Sequence, residues 1–432
     1  MSRKRGFVIS WFYPPGNSSE GLVTYKLLKN SRYDYDVFTR SSHNADMFDR
    51  SVDESDLTAE NVRVVQADVA RNTDWINEAV NYFEKNRDKY DFLMTRCMTV
   101  AAHVAGIKIK RLHPDLPWLA SFGDPLVDSP YLYDAKRGEN PFWLKHIYRR
   151  THSWRQTVRD FGSTERLLHK ILWEKQRRKD TQETRYYAQV NHEVYALADR
   201  LIFNNTHQMK RAFTGEYKQF ERKGLLIGHS FDKTLYPSAT VKPDSKLHFV
   251  YVGHLDRLRN AGVLLDGIAK LKHRDPKLYK KASFEFYGHM DDADKLRIYN
   301  LGLMDLVKTH GDIGYLESLR KIASADWTLL IDANFNGVLD DYIFLPAKLL
   351  DYVGAKRPVF AISQPTGATA DIMQELHCGQ LVTHDSDEVY LYLAKIIEQG
   401  YNPIVYNQDR LDRYDAVKIA GAFDRAVAEL LQ

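Results

Sequence analysis

An α/β architecture, with two Rossmann-like doubly wound parallel sheets facing across a cleft, is what this chain points to. Three features carry that expectation: the length, a steady alternation of short apolar runs with longer amphipathic stretches, and one polar break between two such series. At 432 residues the chain exceeds what a single hydrophobic core usually serves, so two domains are expected. Strand-like and helix-like segments in alternation imply βαβ units, whose crossover helices cover a parallel sheet on both faces.

The first series opens with GFVISWF as a strand and 22–30 as a helix, followed by strands at YDVFT and VRVVQA. A helix over 74–88, the strand DFLMTR, a helix over 99–112 and the strand PWLASF continue it. A long, charged, helical stretch (141–198) precedes the strand RLIFNN and a helix over about 206–218. The stretch LLIGHSFDKTLYPSATVKPDSK, 225–246, has two prolines and many polar residues and reads as the connection between domains.

A second series follows: KLHFVYVG, SFEFYG, LVKTHG, DWTLLID, PVFAIS and QLVTHD as strands. Between them NAGVLLDGIAKLK, DADKLRIYNLG, YLESLRKIASA, PAKLLDYVGA and 368–376 read as helices. The expected division is 1–230 with a basic insertion at about 136–190, a linker at 231–246, a second domain at 247–407, and a terminal helix at 408–432 returning toward the first domain.

Composition narrows the class. A chain that is 44% hydrophobic and 27% charged is an ordinary soluble globular protein. Cys97 and Cys378 are the two cysteines, far apart, so there is no disulfide framework and no paired-cysteine metal site, which suits a reducing cytoplasm. The start, MSRKRGFVISWFYPPG, is basic then apolar, but Pro14-Pro15 closes the run and no small-residue cleavage site follows, so a buried strand is expected there. No segment approaches the roughly 18 apolar residues that span a bilayer. A net charge of +4 is too mild to argue for nucleic acid, and no nucleic-acid module is present. Between 136 and 185, however, basic residues cluster and Trp143, Trp154 and Trp173 are interleaved with them.

In open α/β sheets ligands sit beyond the carboxyl ends of the strands, so the residues just after each strand are the informative ones. Gly16, Asn17, Ser18 and Ser19 lie between the first strand and first helix, where small residues let backbone approach an anionic ligand at a helix start. The plainer alternative is a turn with Ser18 or Ser19 as N-cap. In YVGHLDRLRNAGVLLDGI, Gly253 ends a strand, His254 follows, and Arg259 precedes a helix, a good place for a diphosphate; a solvated basic loop is the alternative. In DDYIFLPAKLLDYVGAKRPVFAI, Pro346 suits the first position of a helix on which Lys348 and Asp351 share a face. They suit a phosphate and a ribose, or simply each other as an exposed ion pair.

With these residues in order, the chain resembles GT-B glycosyltransferases, the large family of retaining, nucleotide-sugar-dependent enzymes that build bacterial surface and cell-wall polysaccharides. The Gly253–Arg259 loop, KTHGDIGYLESLRKIASADWTLLI and PAKLLDYVGAKRPVFAI carry the likeness, with WLASFGDPLVDSP and LLIGHSFDKTLYP in the first half. The resemblance implies that Gly16 to Ser19 face the donor phosphates, that Arg259 and Lys348 bind the diphosphate, and that Asp351 holds the ribose. It implies that the backbone of Gly311, Asp312 and Ile313 meets the base. His254 stands where the family often has arginine. The family's E-x7-E pair is altered to D-x9-D, which makes Asp341 the donor-sugar contact. Asp124 matches an acid that orients the acceptor or takes its proton, a turn role before Pro125 being the alternative.

The activity implied is transfer of a hexosyl or related sugar from a nucleotide-diphosphate sugar to an acceptor hydroxyl on a carbohydrate or lipid-linked glycan. No tightly bound cofactor is expected; cations and helix dipoles replace a metal. Asp291-Asp292 and Asp340-Asp341 read as surface charge ahead of metal ligands. The basic segment 136–185 is matched to an anionic membrane surface, or to a solvated insertion; the former places the protein peripherally on the inner face of the cell membrane. A nucleotide-sugar 2-epimerase and a non-catalytic nucleotide-sugar-binding subunit are the rival readings.

Overall fold

The computed structural model describes residues 3–16, 18–41, 54–69, 71–97, 99–127, 182–237, 246–256, 258–336 and 339–432. They fall into two compact units, one of 1–124 with 197–432 and one of 125–196. In the second unit residues 182–196 are helical. The basic segment 136–185 lies outside the described residues except for 182–185.

The first unit holds two fully parallel sheets. One is built from β1 (Arg5–Ser10), β2 (Asp34–Arg40), β3 (Val62–Ala67), β4 (Phe92–Cys97), β5 (Trp118–Phe122), β6 (Arg200–Phe203) and β7 (Gly224–Leu226). Their order is β3-β2-β1-β4-β5-β6-β7. The other comprises β8 (Leu247–Val252), β9 (Ala282–Tyr287), β10 (Val307–Thr309), β11 (Trp327–Ile331), β12 (Val359–Ile362) and β13 (Gly379–Val382), in the order β10-β9-β8-β11-β12-β13. Each sheet reverses direction once, between β1 and β4 and between β8 and β11. Those two switch points are where the connecting chains part and leave a crevice at the strand ends. β4 and β11 are buried along their whole length, as strands covered on both faces must be.

The helices of the first half are α1 (Ser19–Lys29), α2 (Asn72–Lys85), α3 (Val100–Leu112) and α4 (Thr206–Ala212). The helix expected over 206–218 stops early: Gly215 adopts φ +57°, and a 3-10 segment, Gly215–Lys223, follows. Two of the three residues of β7, Leu225 and Leu226, lie within the stretch 225–246 expected to connect the domains. The second half adds α5 (Gly262–Arg274), α6 (Asp292–Asn300), α7 (Tyr315–Ser324), α8 (Ala347–Gly354), α9 (Ala368–Leu376) and α10 (Ser386–Gln399). In α7 the buried residues Tyr315, Ser318, Leu319, Ile322 and Ala323 recur at helical spacing. No element was expected over 386–399. The alternating VYLYL hides a helical period in which Val389, Leu393, Ile396 and Ile397 are buried, and Asp385 caps the start by accepting from Asp387 N and Glu388 N.

The last helix, α11 (Ala416–Leu430), packs on α1. Its Asp424 accepts from Ser31 Oγ at 2.5 Å and from Arg32 N at 3.0 Å. Phe231 and Asp415 form an isolated parallel bridge beside it. The chain therefore crosses between the halves twice, after residue 230 and again before α11. One apolar cluster runs from Val8 and Leu28 through Leu349 and Val353 to Phe423 and Val427, so the two sheets share a core; a separate cluster around Phe249, Leu265 and Phe284 serves the outer side of the second sheet. Among the described residues no helix is long and apolar enough to cross a membrane.

Candidate active site

The first switch point gathers side chains from the ends of β1, β4 and β5. Ser18 stands at the N-cap of α1 in extended backbone, φ −160° and ψ 135°, but its hydroxyl makes no capping bond. Ser19 is exposed on the first turn, and a Cβ at Gly16 would meet only Tyr13 O, at 3.4 Å, so backbone here is open to a neighbour. Asn17 lies outside the described residues. Glu20 and Arg96, which the sequence did not mark, are buried face to face: Arg96 Nε donates to Glu20 Oε1 at 2.5 Å and Nη1 to Ser121 Oγ at 2.9 Å.

Asp124 follows β5. It is exposed to solvent. Desolvation first, then the Glu20 carboxylate, push its pKa up to about 6, against the pull of Arg259 and Arg96. Two buried histidines stand nearby in the same half. His103 Nδ1 lies 2.8 Å from Thr95 Oγ1, and desolvation followed by Arg96 lowers its pKa to about 3. His229 is held well below the ordinary range by burial, then by Arg96 and Lys26.

The second switch point assembles around the end of β8. Gly253 takes φ +121°, and a Cβ there would collide with Lys348 Nζ, so only glycine serves. Lys348 Nζ donates to Tyr251 Oη at 2.8 Å and sits 4.2 Å from the centre of that ring. Its pKa is depressed well below the usual lysine value, first by desolvation and then by Arg259. Arg259 closes a turn with Asp256: its N–H donates to Asp256 Oδ1 and its carbonyl accepts from Asp256 N, both at 2.9 Å. The guanidinium acts on Lys348, on Asp332 and, from the second half, on Asp124. Arg259 is thus within electrostatic reach of Lys348 and Asp124, and Lys348 lies against Gly253.

Asp332 was missed. It follows β11 directly, is 1% exposed, and accepts from Ser363 Oγ and Thr369 Oγ1 at 2.7 Å each. Desolvation raises its pKa while Arg259 opposes the rise. The signal available was its place after an apolar strand at the switch point.

Other expectations are modified. Pro346 occupies the N-cap of α8, one residue before the expected position, because its ψ of 123° is extended and the helix begins at Ala347. Lys348 and Asp351 share a face but do not pair with one another. Asp351 Oδ1 accepts from Lys26 Nζ at 2.9 Å and from Tyr315 Oη at 2.8 Å; Oδ2 makes no hydrogen bond among the described residues. His254 Nε2 lies 2.8 Å from Asp312 Oδ1, which also accepts from His289 N at 3.0 Å. Asp312 therefore serves the loop after β8. Gly311 adopts φ +73° and its carbonyl accepts from Gly288 N at 2.6 Å; Ile313 packs beside Tyr287. Asp341 is half exposed, with Oδ2 3.4 Å from His207 Nδ1, whose Nε2 lies 2.8 Å from Asp371 Oδ2. Among the described residues no cluster of three or more His, Cys, Asp or Glu side chains is placed to hold a metal ion.

Solved structures match this fold across the chain. The Anabaena protein HepE, in complex with UDP and glucose, is 15% identical with a TM-score of 0.62, covering 100% of this chain and 99% of its own. Sucrose-phosphate synthase from Thermosynechococcus elongatus is 14% identical, TM-score 0.61, with 99% of each chain covered. UDP-GlcNAc 2-epimerase from Methanocaldococcus jannaschii is 13% identical, TM-score 0.51, again with 99% of each covered. No protein-family model matches the chain, and no curated protein matches it in sequence. The likeness is one of architecture: this chain has the GT-B fold, two doubly wound parallel sheets.

Proposed function

We propose that this chain is a glycosyltransferase that moves a sugar from a nucleotide-diphosphate sugar to an acceptor hydroxyl. The observation that carries the reading is the convergence of Arg259 and Lys348 at the second switch point, beside a glycine that lets backbone approach. Two cations held near one another repel, and Lys348 is desolvated as well; an entering diphosphate relieves both costs. As the bond from the sugar to the diphosphate breaks, negative charge grows on the leaving group. Arg259, Lys348 and the amide dipoles at the start of α5 are fixed in place to stabilise it.

In this reading the first half supplies the acceptor side through Asp124, and Asp351 keeps Oδ2 for a ribose hydroxyl. Gly16 to Ser19 line the donor's phosphate side, and the backbone from Gly311 to Ile313 takes the base. A uridine nucleotide is the donor base we favour, since HepE is in complex with UDP and glucose. Retention of anomeric configuration, independence of metal and a polysaccharide acceptor rest on the sequence resemblance. The association of 136–185 with an anionic membrane rests on charge pattern alone.

A thermal-shift screen of UDP, GDP, ADP and their sugars tests donor binding, because a ligand of the folded state raises its melting point by mass action. Acceptor-dependent release of nucleoside diphosphate then separates the classes. Donor binding without turnover identifies a binding subunit, and conversion of the sugar with no acceptor identifies an epimerase. Absence of any nucleotide response removes the proposal.

A further inference from the structure

At the second switch point the two cations come from different elements, the loop after β8 and α8, and one buried phenol is bonded to both elements. Tyr251 is fully buried on β8, in the apolar cluster that also holds Phe249, Phe284 and Phe286. Phenylalanine would fill that place as well, so packing does not account for the hydroxyl. A hydroxyl buried without partners destabilises a fold, and this one has two. Its Oη lies 3.1 Å from the carbonyl oxygen of His254 and 2.8 Å from Lys348 Nζ. The direction of both bonds is fixed, because a carbonyl can only accept. The phenol proton goes to His254 O, and the phenol oxygen accepts from the amine.

We infer that Tyr251 is a positioning residue: it holds the Lys348 amine beside Gly253 and ties it to the turn that carries Arg259. The need for a tie follows from charge. A lysine stem is flexible and Arg259 repels the amine, so an untied Lys348 would swing toward solvent. Asp332, Asp256 and Asp351 attract the amine, but none of them is hydrogen-bonded to it among the described residues. Tyr251 Oη is the one hydrogen-bond partner of Nζ among those residues, and the ring, with its centre 4.2 Å from Nζ, favours a cation as well. On the other side, Asp256 and Arg259 close the turn that begins at His254, so holding the His254 carbonyl steadies the turn.

The arrangement also says how the amine is used. An ammonium has three N–H groups; one is spent on Tyr251, which leaves two for an anionic oxygen arriving beside the bare backbone of Gly253. That the oxygen belongs to UDP rests on the diphosphate reading. The tie itself is a property of the free protein.

The test compares the full chain with its Tyr251→Phe, Lys348→Met and double variants. Phenylalanine keeps the ring and its packing, so Tyr251→Phe should fold, which melting curves check. In ligand-free protein, NMR of isotope-labelled lysine Cε follows the Lys348 amine, whose signal is the one missing from Lys348→Met. It should titrate lower in Tyr251→Phe than in the parent, because an acceptor for the ammonium is gone. Arg259, Asp332, Asp256 and Asp351 are present in both, so they do not account for the difference. Calorimetry with UDP should show an affinity loss of about tenfold in Tyr251→Phe, and no further loss when that change is added to Lys348→Met. An unchanged Lys348 titration overturns the inference. So does a further tenfold loss on adding Tyr251→Phe to Lys348→Met, since the hydroxyl would then act without the amine. If Lys348→Met binds UDP as the parent does, the diphosphate reading falls, and a lowered titration in Tyr251→Phe still supports the tie.

Discussion

Lys26 Nζ lies 2.9 Å from Asp351 Oδ1, with the lysine 1% exposed, and the pair joins α1 of the first half to α8 of the second. Tyr315 Oη completes the carboxylate from α7. Removing one partner strands the other charge, so Lys26→Met or Asp351→Asn should cost about 3–5 kcal/mol in urea unfolding. Replacing both with apolar residues of similar volume should recover most of that loss. If the double variant is as unstable as the singles, packing and not charge accounts for the effect.

Arg259→Ala should weaken UDP binding by about ten- to a hundredfold, the worth of a charge-assisted hydrogen bond to a phosphate, and lower turnover with it. Its backbone turn with Asp256 does not need the side chain, so the melting temperature without ligand should stay near that of the parent. Calorimetry with UDP measures the first quantity; unchanged affinity would withdraw the diphosphate assignment.

Lys348 makes a prediction about protons. Its amine is depressed in the free protein by desolvation and by Arg259, and a diphosphate favours the charged form. UDP binding at alkaline pH should therefore take up protons. The uptake shows as a dependence of calorimetric heat on buffer ionisation enthalpy, and it should disappear in Lys348→Met. Equal heats in all buffers would mean that the amine is already fully charged in the free protein.

The buried histidines set the response to acid. His103 has its folded pKa lowered to about 3, and His229 is lowered too, while an unfolded histidine titrates near about 6.5. Below that value the unfolded chain binds more protons than the folded one, so stability falls as pH drops from about 6.5 toward about 3. The slope is at most about 1.4 kcal/mol per pH unit for each histidine. Asp124 works the other way: its raised pKa makes its contribution more favourable as pH falls through about 6. Denaturation curves across that range for His103→Gln and His229→Gln should be flatter than for the parent.

Most of the architecture was legible in the sequence because strand and helix periods are local. VRVVQA and 368–376 fall where the pattern placed them, and the loops after β1 and β8 could be named because switch points follow strand ends. What escaped is long-range. Nothing local says that Glu20 reaches Arg96, or that Lys26 will claim the acid expected to face a ribose. Both pairings join residues 76 and 325 positions apart. Asp332 escaped for a different reason, since an acid closing an apolar strand looks like the polar edge of a loop. The helix at 386–399 was hidden by alternating tyrosines and leucines that imitate a strand.

The return of α11 to α1 also constrains how the protein can move. The outgoing and returning passages run side by side, Phe231 N donating to Tyr414 O and Ala416 N to Phe231 O, so the halves are joined by one doubled hinge. Deleting residues 416–432 would leave that hinge a single thread, broadening the range of interdomain distances that small-angle scattering or paired spin labels record.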